Sequence, residues 1–155
     1  MGGRPGSIGR KGFPLVAPSI RYLLDANILS EPVRPRPVAS VIEQLERQLD
    51  ESATAAPVLH ELEFGVARLP ASKRKDALSR YLIEVIGRLP VLPYDAAAAR
   101  WHARERARLT KLGRPPAFVD GQIAATAAVH GLVLVTRNVI DFSVFEGIDI
   151  ESWFE

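Results

Sequence analysis

Cysteine is absent from this chain of 155 residues, and histidine occurs only three times. Without cysteine there are no disulfide bonds and no thiolate metal sites, which fits a protein of the reducing cytoplasm. A bound metal ion would therefore need oxygen or imidazole ligands. No apolar run approaches the ~20 residues that are needed to cross a bilayer. We therefore expect a soluble, cytoplasmic protein that makes no contact with membranes.

The excess of positive charge is small, at +2, and does not by itself indicate a nucleic-acid-binding protein. Basic residues are nevertheless concentrated in residues 100–114, which hold six of them against the single acid Glu105. Such a run is ordinarily a solvated helix face. If it binds the phosphates of a nucleic acid instead, we expect the contacts to come from Arg104, Arg108 and Lys111. If it does not, the path of a nucleic acid would be expected around Arg34, Arg36 and Arg68.

The beginning of the chain differs in composition from the rest. Residues 1–20 are rich in glycine and proline and lack the sustained apolar segment of a signal peptide. Because such a segment buries little apolar surface, we expect it to form a flexible arm. Residues 21–155 suit one domain with its own hydrophobic core, and no linker or internal repeat divides them.

Short apolar runs alternate with amphipathic segments along this domain. The runs predict strands at residues 22–24, 52–57, 90–93, 132–135 and 148–150. The amphipathic segments predict helices at residues 37–49, 58–69, 72–86, 95–113 and 118–130. Ser72 and Asp95 are predicted N-caps, and Gly131 is a predicted C-cap. Strands that alternate with helices favour an α/β fold around a parallel sheet.

Four acidic residues are expected at one edge of this sheet, because ligands of parallel sheets collect at the carboxyl ends of the strands. Asp25 follows the first strand, and Asp141 lies in the loop after the strand at 132–135. The second helix contributes Glu61 and the fifth contributes Asp120. Asp120 could simply stabilise the first turn of its helix, and Asp141 could be an ordinary loop cap. An acid on a closely packed face is costly unless it is paired or metal-bound, so the group favours a divalent cation.

The ligand chemistry limits which cation fits. Carboxylates without thiolates suit Mg²⁺ or Mn²⁺, which keep several bound waters. Such a cation lowers the pKa of a bound water and stabilises charge on phosphoryl oxygens. Catalysis then needs no histidine, and we assign no catalytic role to His60, His102 or His130.

Three blocks of the sequence resemble the signature blocks of the PIN domain. They are YLLDANILSE at 22–31, HELEFGVARLP at 60–70 and FVDGQIAATAAVHGLVLVTRNVIDF at 118–142. The blocks occur in the right order, cover most of the chain, and are most like those of VapC-type toxins from bacterial toxin–antitoxin pairs. The resemblance implies a three-layer α/β/α sandwich with a mainly parallel central sheet. It also implies an endoribonuclease that depends on Mg²⁺ or Mn²⁺.

The resemblance further implies roles for individual acids. Asp25 and Asp120 match the two acids that usually bind the metal in this family. Glu61 matches the acid of the family's E-L-x-x-G block, because it has the correct offset to Gly65. Glu63 is the competing choice for that position.

One position departs from the family pattern. The family often has an acid directly after the Thr at the strand end, whereas this chain reads Thr136-Arg137-Asn138. We therefore take the later Asp141 as the fourth acid of the catalytic set. Polar side chains expected to line the site are Asn27, Thr136 and Asn138.

The family also implies a protein partner. This would be a small antitoxin, usually with a DNA-binding portion, that covers the acidic site and represses the shared operon. Operator DNA is therefore expected to be contacted only through the antitoxin. The apolar stripe of the helix at 72–86 is mainly core, but it is broad enough that part of it could form a homodimer contact.

Two other functions are compatible with parts of this pattern. A catalytically inactive PIN-like interaction module would have the same fold, but it would usually have lost Asp25 or Asp120. A metal-dependent phosphatase with an aspartyl nucleophile usually has a second acid two residues later, where this chain has Asn27. The sequence therefore favours a ribonuclease.

Overall fold

The computed structural model describes residues 19–154. The predicted arm, residues 1–20, thus lies outside the described residues except for its last two. Of these two, Ile20 is half-buried and packs against the hydrophobic core. The ordered domain therefore includes at least one residue that the sequence pattern assigned to the arm.

The domain is built around one sheet of five parallel strands in the order β3-β2-β1-β4-β5. The strands are β1 (Tyr22–Leu24), β2 (Ser52–Ala55), β3 (Val91–Leu92), β4 (Val133–Val135) and β5 (Asp149–Glu151). β1 is the central strand, and Tyr22 pairs with Ser52 on one side and with Val133 on the other. All three residues of β1 are buried, as expected for a strand that is covered on both faces. The predicted α/β fold is confirmed.

Seven α-helices connect these strands within the described residues. They are α1 (Ala26–Leu29), α2 (Ala39–Gln48), α3 (Ala56–Ala67), α4 (Lys73–Glu84), α5 (Ala96–Lys111), α6 (Phe118–His130) and α7 (Val139–Phe142). Short 3-10 turns lie at Glu31–Val33, Leu49–Glu51 and Ile86–Arg88. Among residues 19–154, no helix is both long and apolar enough to cross a membrane.

The predicted helix ends are confirmed by their capping bonds. The hydroxyl of Ser72 accepts from the backbone N–H of Lys75 at the start of α4. The carboxylate of Asp95 accepts from the N–H of Ala98 at the start of α5. Gly131 ends α6 in the left-handed conformation, at φ 65°, which glycine adopts without steric cost.

The strand order creates a switch point beside β1. From β1 the chain moves through β2 to β3 on one side of the sheet, and it then returns to β4 on the other side. Because crossovers between parallel strands are right-handed, α1–α4 cover one face and α5–α7 cover the other. This gives the predicted three-layer sandwich. Sites of open α/β sheets lie at such a switch point, here at the carboxyl ends of β1 and β4.

Candidate functional site

Asp25 lies at the switch point, directly after β1. Its backbone N–H donates to the carbonyl of Val135 at 3.0 Å, which ties it to the end of β4. The hydroxyl of Thr136 donates to Asp25 Oδ2 at 2.8 Å, and the N–H of Ala26 donates to Oδ1 at 2.8 Å. Asp25 as a whole is only 5% exposed. Asp25 is therefore both the N-cap of α1 and a carboxylate held in one orientation.

Asn27 and Thr136 connect the two strand ends. The amide of Asn27 donates to Asp25 Oδ2 at 3.4 Å, while its oxygen accepts from the N–H of Arg137 at 3.0 Å. The hydroxyl oxygen of Thr136 accepts from the N–H of Asn138 at 3.0 Å. Thr136 is fully buried behind Asp25, so it supports the carboxylate rather than lining open space. These bonds fix the loop after β4 relative to α1.

An open cavity of about 730 Å³ lies over these strand ends. Three of the four predicted acids line it, each from a different element: Asp25 after β1, Glu61 from α3 and Asp120 from α6. Asn27 and Asn138 also line the cavity. The structure therefore brings residues from three distant parts of the chain around one space.

Burial and neighbouring negative charges destabilise the charged forms of these acids. Burial is the main reason that the pKa of Asp25 is raised, although its hydrogen bonds oppose the effect. Burial also raises the pKa of Glu61, and the charges of Asp25 and Asp120 add to this. The pKa of Asp120 is raised by burial and by the charges of Asp25 and Asp141. Three negative charges that repel one another in a shared cavity favour a bound cation.

The fourth predicted acid lies at the margin of this group. Asp141 is exposed on α7 and does not line the cavity, although its charge acts on Asp120. Asn138 is the residue of this loop that faces the cavity. The catalytic role of Asp141 therefore stays a prediction. Its negative charge acts on the site by raising the pKa of Asp120.

The structure also separates the two glutamates of α3. Glu61 lines the cavity, whereas Glu63 lies in a separate shallow cleft between α3 and α4. Gly65 is one turn beyond Glu61 and lines the same cavity. Glu61, and not Glu63, therefore shares the cavity with Asp25 and Asp120, and its catalytic role stays a prediction.

The donor set fits a hard cation. The three acids offer only carboxylate oxygens, which are the ligands that Mg²⁺ and Mn²⁺ prefer. Within residues 19–154, no three acidic or imidazole side chains converge closely enough to form a complete metal cage. Mg²⁺ commonly binds through one or two carboxylates and keeps several waters, so a pair such as Asp25 and Asp120 is sufficient.

The basic helix α5 stands apart from this cavity. None of its three predicted RNA-binding residues, Arg104, Arg108 and Lys111, lines the cavity. Arg108 is already engaged, because its guanidinium donates to both carboxylate oxygens of Glu105 at 2.8 and 2.9 Å and to the carbonyl of Val144. Their contact with RNA stays a prediction, and Arg108 has the least free capacity for it.

Four arginines outside the main RNA-binding prediction line the cavity. Arg34 and Arg68 were named only as an alternative RNA path, and Arg74 and Arg137 were not considered. A signal for Arg68 was available, because it lies seven residues after Glu61 and therefore on the same face of α3. Arg74 had no such signal, since its position depends on how α4 packs beside α3.

Comparison with known proteins identifies the fold and its relatives. The PIN domain profile matches residues 22–145. The toxin FitB of Neisseria gonorrhoeae is 34% identical over 139 residues, which is 86% of this chain and 99% of FitB. A VapC ribonuclease of Sinorhizobium fredii is 36% identical over 137 residues, which is 86% of this chain and 97% of that ribonuclease.

Solved structures give the same result. The crystal structure of FitAcB from Neisseria gonorrhoeae contains a chain with a TM-score of 0.77 and 33% identity, covering 86% of this chain and 99% of that one. DNA-bound VapBC from Salmonella typhimurium contains one with a TM-score of 0.74 and 30% identity, covering 86% and 98%. The order of the strands, the cavity at the switch point and these similarities agree, and the chain belongs to the PIN-domain family.

Proposed function

We propose that this protein is a ribonuclease toxin that cleaves RNA phosphodiester bonds with the help of Mg²⁺ or Mn²⁺. The observation that carries the proposal is the convergence of Asp25, Glu61 and Asp120 from three elements on one cavity, with a raised pKa for each. The names of two relatives support the choice of substrate, since one is a VapC ribonuclease and another, from Shigella flexneri, is a tRNA(fMet)-specific endonuclease.

In this proposal Asp25 and Asp120 hold the cation. When bound, it would lower the pKa of a water molecule and stabilise negative charge on the phosphoryl oxygens. Thr136 and the N–H of Ala26 keep the Asp25 carboxylate in one orientation, so that little ordering is needed on binding.

Glu61 is the candidate general base. Its raised pKa brings the carboxylate closer to the range in which it can accept a proton at neutral pH. A water molecule then attacks the phosphorus and forms a P–O bond, while its proton passes to a Glu61 carboxylate oxygen. One P–O bond of the RNA breaks, and the leaving ribose oxygen keeps the electron pair and takes a proton from solvent. Asn27 and Asn138 present neutral polar groups to the same cavity, and they can orient the substrate without adding negative charge.

We further propose that an antitoxin neutralises the protein. Related structures include such assemblies, among them FitAB bound to an IR36 DNA fragment and VapBC2 of Rickettsia felis bound to a DNA fragment from the promoter. An antitoxin that covers the cavity would exclude RNA from the acids, and operator DNA would be bound only through the antitoxin. Pairing of two copies of this chain stays a prediction.

The proposal is tested by replacing the candidate metal ligands. Asp25→Asn and Asp120→Asn should each lower the rate of RNA cleavage by about 100-fold or more while the fold is retained, because amides are poor ligands for Mg²⁺. Asp50→Asn is the matched control, since Asp50 is exposed and remote from the cavity. A chelator should abolish wild-type cleavage, and a phosphomonoester should not be hydrolysed.

Two outcomes would contradict this assignment. Wild-type rates in folded Asp25→Asn and Asp120→Asn variants would remove these residues from the site. Failure of the wild type to cleave any RNA with either cation, together with tight antitoxin binding, would support an inactive interaction module instead.

A further inference from the structure

The cavity extends well beyond the three acids. It continues as a cleft between the segment after α1 on one side and α3 with α4 on the other. On these segments the cleft is lined by Arg34, Arg68 and Arg74, together with apolar side chains such as Leu78, while Arg137 lines the cavity in the loop after β4. We call the part at the three acids the acidic end and the part at Arg68 and Arg74 the basic end.

Two of these arginines have no acidic partner. Within residues 19–154, neither Arg68 nor Arg74 forms an ion pair with a carboxylate. Arg34 differs, because its Nε lies 3.5 Å from the buried carboxylate of Glu31. We refer to Arg68 and Arg74 as the cleft arginines. Their guanidinium groups are available for a ligand that carries negative charge.

Helix α3 connects the acidic end of the cleft to the basic end. Glu61 and Gly65 of α3 and its C-cap residue Arg68 are spaced by four and three residues, and Arg68 keeps a helical backbone conformation, so the three lie along one face. At 1.5 Å per residue, Glu61 and Arg68 are separated by about 10 Å along its axis. A Cβ atom built on Gly65 would meet nothing within 4 Å. Between Glu61 and Arg68, the cleft wall at Gly65 therefore has no side chain, and open space lies in front of it.

The part of the cleft wall next to α3 comes from α4 and is fixed in place. The hydroxyl of Tyr81 donates to the carbonyl of Leu29 at the end of α1, and Arg74 lies in the first turn of the same helix. The cleft is therefore a feature of packed elements rather than of a single loop.

We infer that a single strand of RNA runs through this cleft over Gly65, and that the cleft arginines bind its phosphates on one side of the cleaved bond. The inference rests on the proposed ribonuclease function and names the binding path for its substrate. Phosphates next to three acids are repelled, so an RNA-cleaving site needs cations close by. Arginine binds phosphate through two parallel hydrogen bonds. The α5 surface is a weaker choice, because it lies outside the cavity and Arg108 is already paired.

The first test measures binding separately from cleavage. A fluorescent single-stranded RNA is titrated against the Asp120→Asn protein with and without the double change Arg68→Gln/Arg74→Gln. We expect binding to weaken at least about tenfold, and the slope of log K against log salt to fall by roughly 1.4, because two phosphate contacts are lost. The matched control is Arg47→Gln/Arg88→Gln, at two exposed arginines that do not line the cavity, and it should change neither quantity. Arg104→Gln/Lys111→Gln on α5 tests the rival path.

The second test blocks the cleft without removing charge. Gly65→Leu adds a side chain where the fold leaves open space, so the domain should stay folded while RNA binding weakens at least about tenfold. Gly65→Ala should weaken binding less, because its side chain is smaller. A retained melting temperature establishes that the leucine variant is folded.

The outcomes separate this inference from the proposed function. If the wild type cleaves RNA but the cleft variants bind it normally, the inference fails and the proposed function survives. If the wild type cleaves no RNA but the cleft variants still bind it more weakly than Asp120→Asn alone, the path is supported and the ribonuclease proposal fails. If the cleft variants lose only antitoxin binding, the cleft is a protein-docking site and the inference is overturned. An effect confined to the α5 variant would overturn it as well.

Discussion

The ring of His102 on α5 occupies the space that a side chain at Gly121 on α6 would need. A Cβ atom at Gly121 would lie 2.0 Å from His102 Nε2. The ring is buried, with its Nδ1 in a 2.8 Å hydrogen bond to the hydroxyl of Tyr94 and its centroid 4.7 Å from that of Phe118. Because Asp120 precedes Gly121, this contact sets the position of a candidate metal ligand.

We expect Gly121→Ala to destabilise the domain, although alanine is intrinsically the better helix residue. The new methyl group has no room, so His102 or the α5 backbone must move, at a cost of about 1–3 kcal/mol. The free energy of unfolding in urea measures the effect. Gly65→Ala is the matched control in a helix with open space, and it should be neutral or stabilise by up to about 1 kcal/mol.

The same contact predicts strong coupling between the two positions. His102→Ala removes the obstructing ring, so adding Gly121→Ala to that variant should cost much less than adding it to the wild type. An equal cost in both backgrounds would show that a group other than the imidazole ring limits the size of the side chain at position 121.

We expect the site acids to oppose folding in the absence of cations. Asp120→Asn should raise the melting temperature of the metal-free protein, because it removes a charge that Asp25 and Glu61 repel. For the wild type, Mn²⁺ or Mg²⁺ at about 100 times its Kd should add about 2.7 kcal/mol, or roughly 5–11 °C. The Asp120→Asn variant should lose most of this shift, and Asp50→Asn should keep it. A lower melting temperature in metal-free Asp120→Asn would contradict the repulsion.

Glu105 is expected to stabilise the packing of α5 against the segment after α7. Its carboxylate accepts from Arg108 and from the N–H of Glu146, at 2.8–3.0 Å. Glu105→Ala should therefore cost about 1–3 kcal/mol in urea unfolding. Glu63→Ala, at an exposed glutamate of α3, is the control and should cost less than about 0.5 kcal/mol.

The contribution of Glu105 should also depend on pH. Its hydrogen bond to Arg108 is the main reason that its pKa is lowered from the ordinary 4.5. A carboxylate whose pKa is lower in the folded state stabilises that state at pH values above its pKa in the unfolded chain. This stabilisation is lost as the pH falls through its pKa in the folded state. The stability difference between wild type and Glu105→Gln should therefore be constant near pH 7 and shrink below about pH 4.5. A difference that grows on acidification would contradict this role.

Much of the fold was predictable because its signals are local. The capping groups of Ser72 and Asp95 lie three residues from the N–H groups that they accept from, so a short stretch of sequence contains the whole interaction. The helices Ala26–Leu29 and Val139–Phe142 were not predicted. Four residues make barely one turn, which is too short for an apolar period of 3.6 residues to be recognised.

The packing of His102 against α6 could not be predicted for a different reason. His102 shares a face of α5 with the buried Ala98 and Leu109, but nothing within that helix indicates which neighbouring residue leaves room for its ring. The space for its ring exists only because residue 121, on another helix, has no side chain. A pairing of this kind depends on how two helices approach each other.

The sequence by itself determined the chemistry that is available to this protein. The absence of cysteine excluded thiolate ligands, the acids at strand and helix ends predicted oxygen ligands for a hard cation, and the alternation of elements predicted the parallel sheet. Only the tertiary structure decided which of those residues share a space. It placed Glu61 in the cavity and Glu63 outside it, exposed Asp141 at the margin, and paired Arg108 with Glu105. The physical reason is that local spacing fixes the face of an element on which a side chain lies, whereas the distance between elements depends on packing across the whole core.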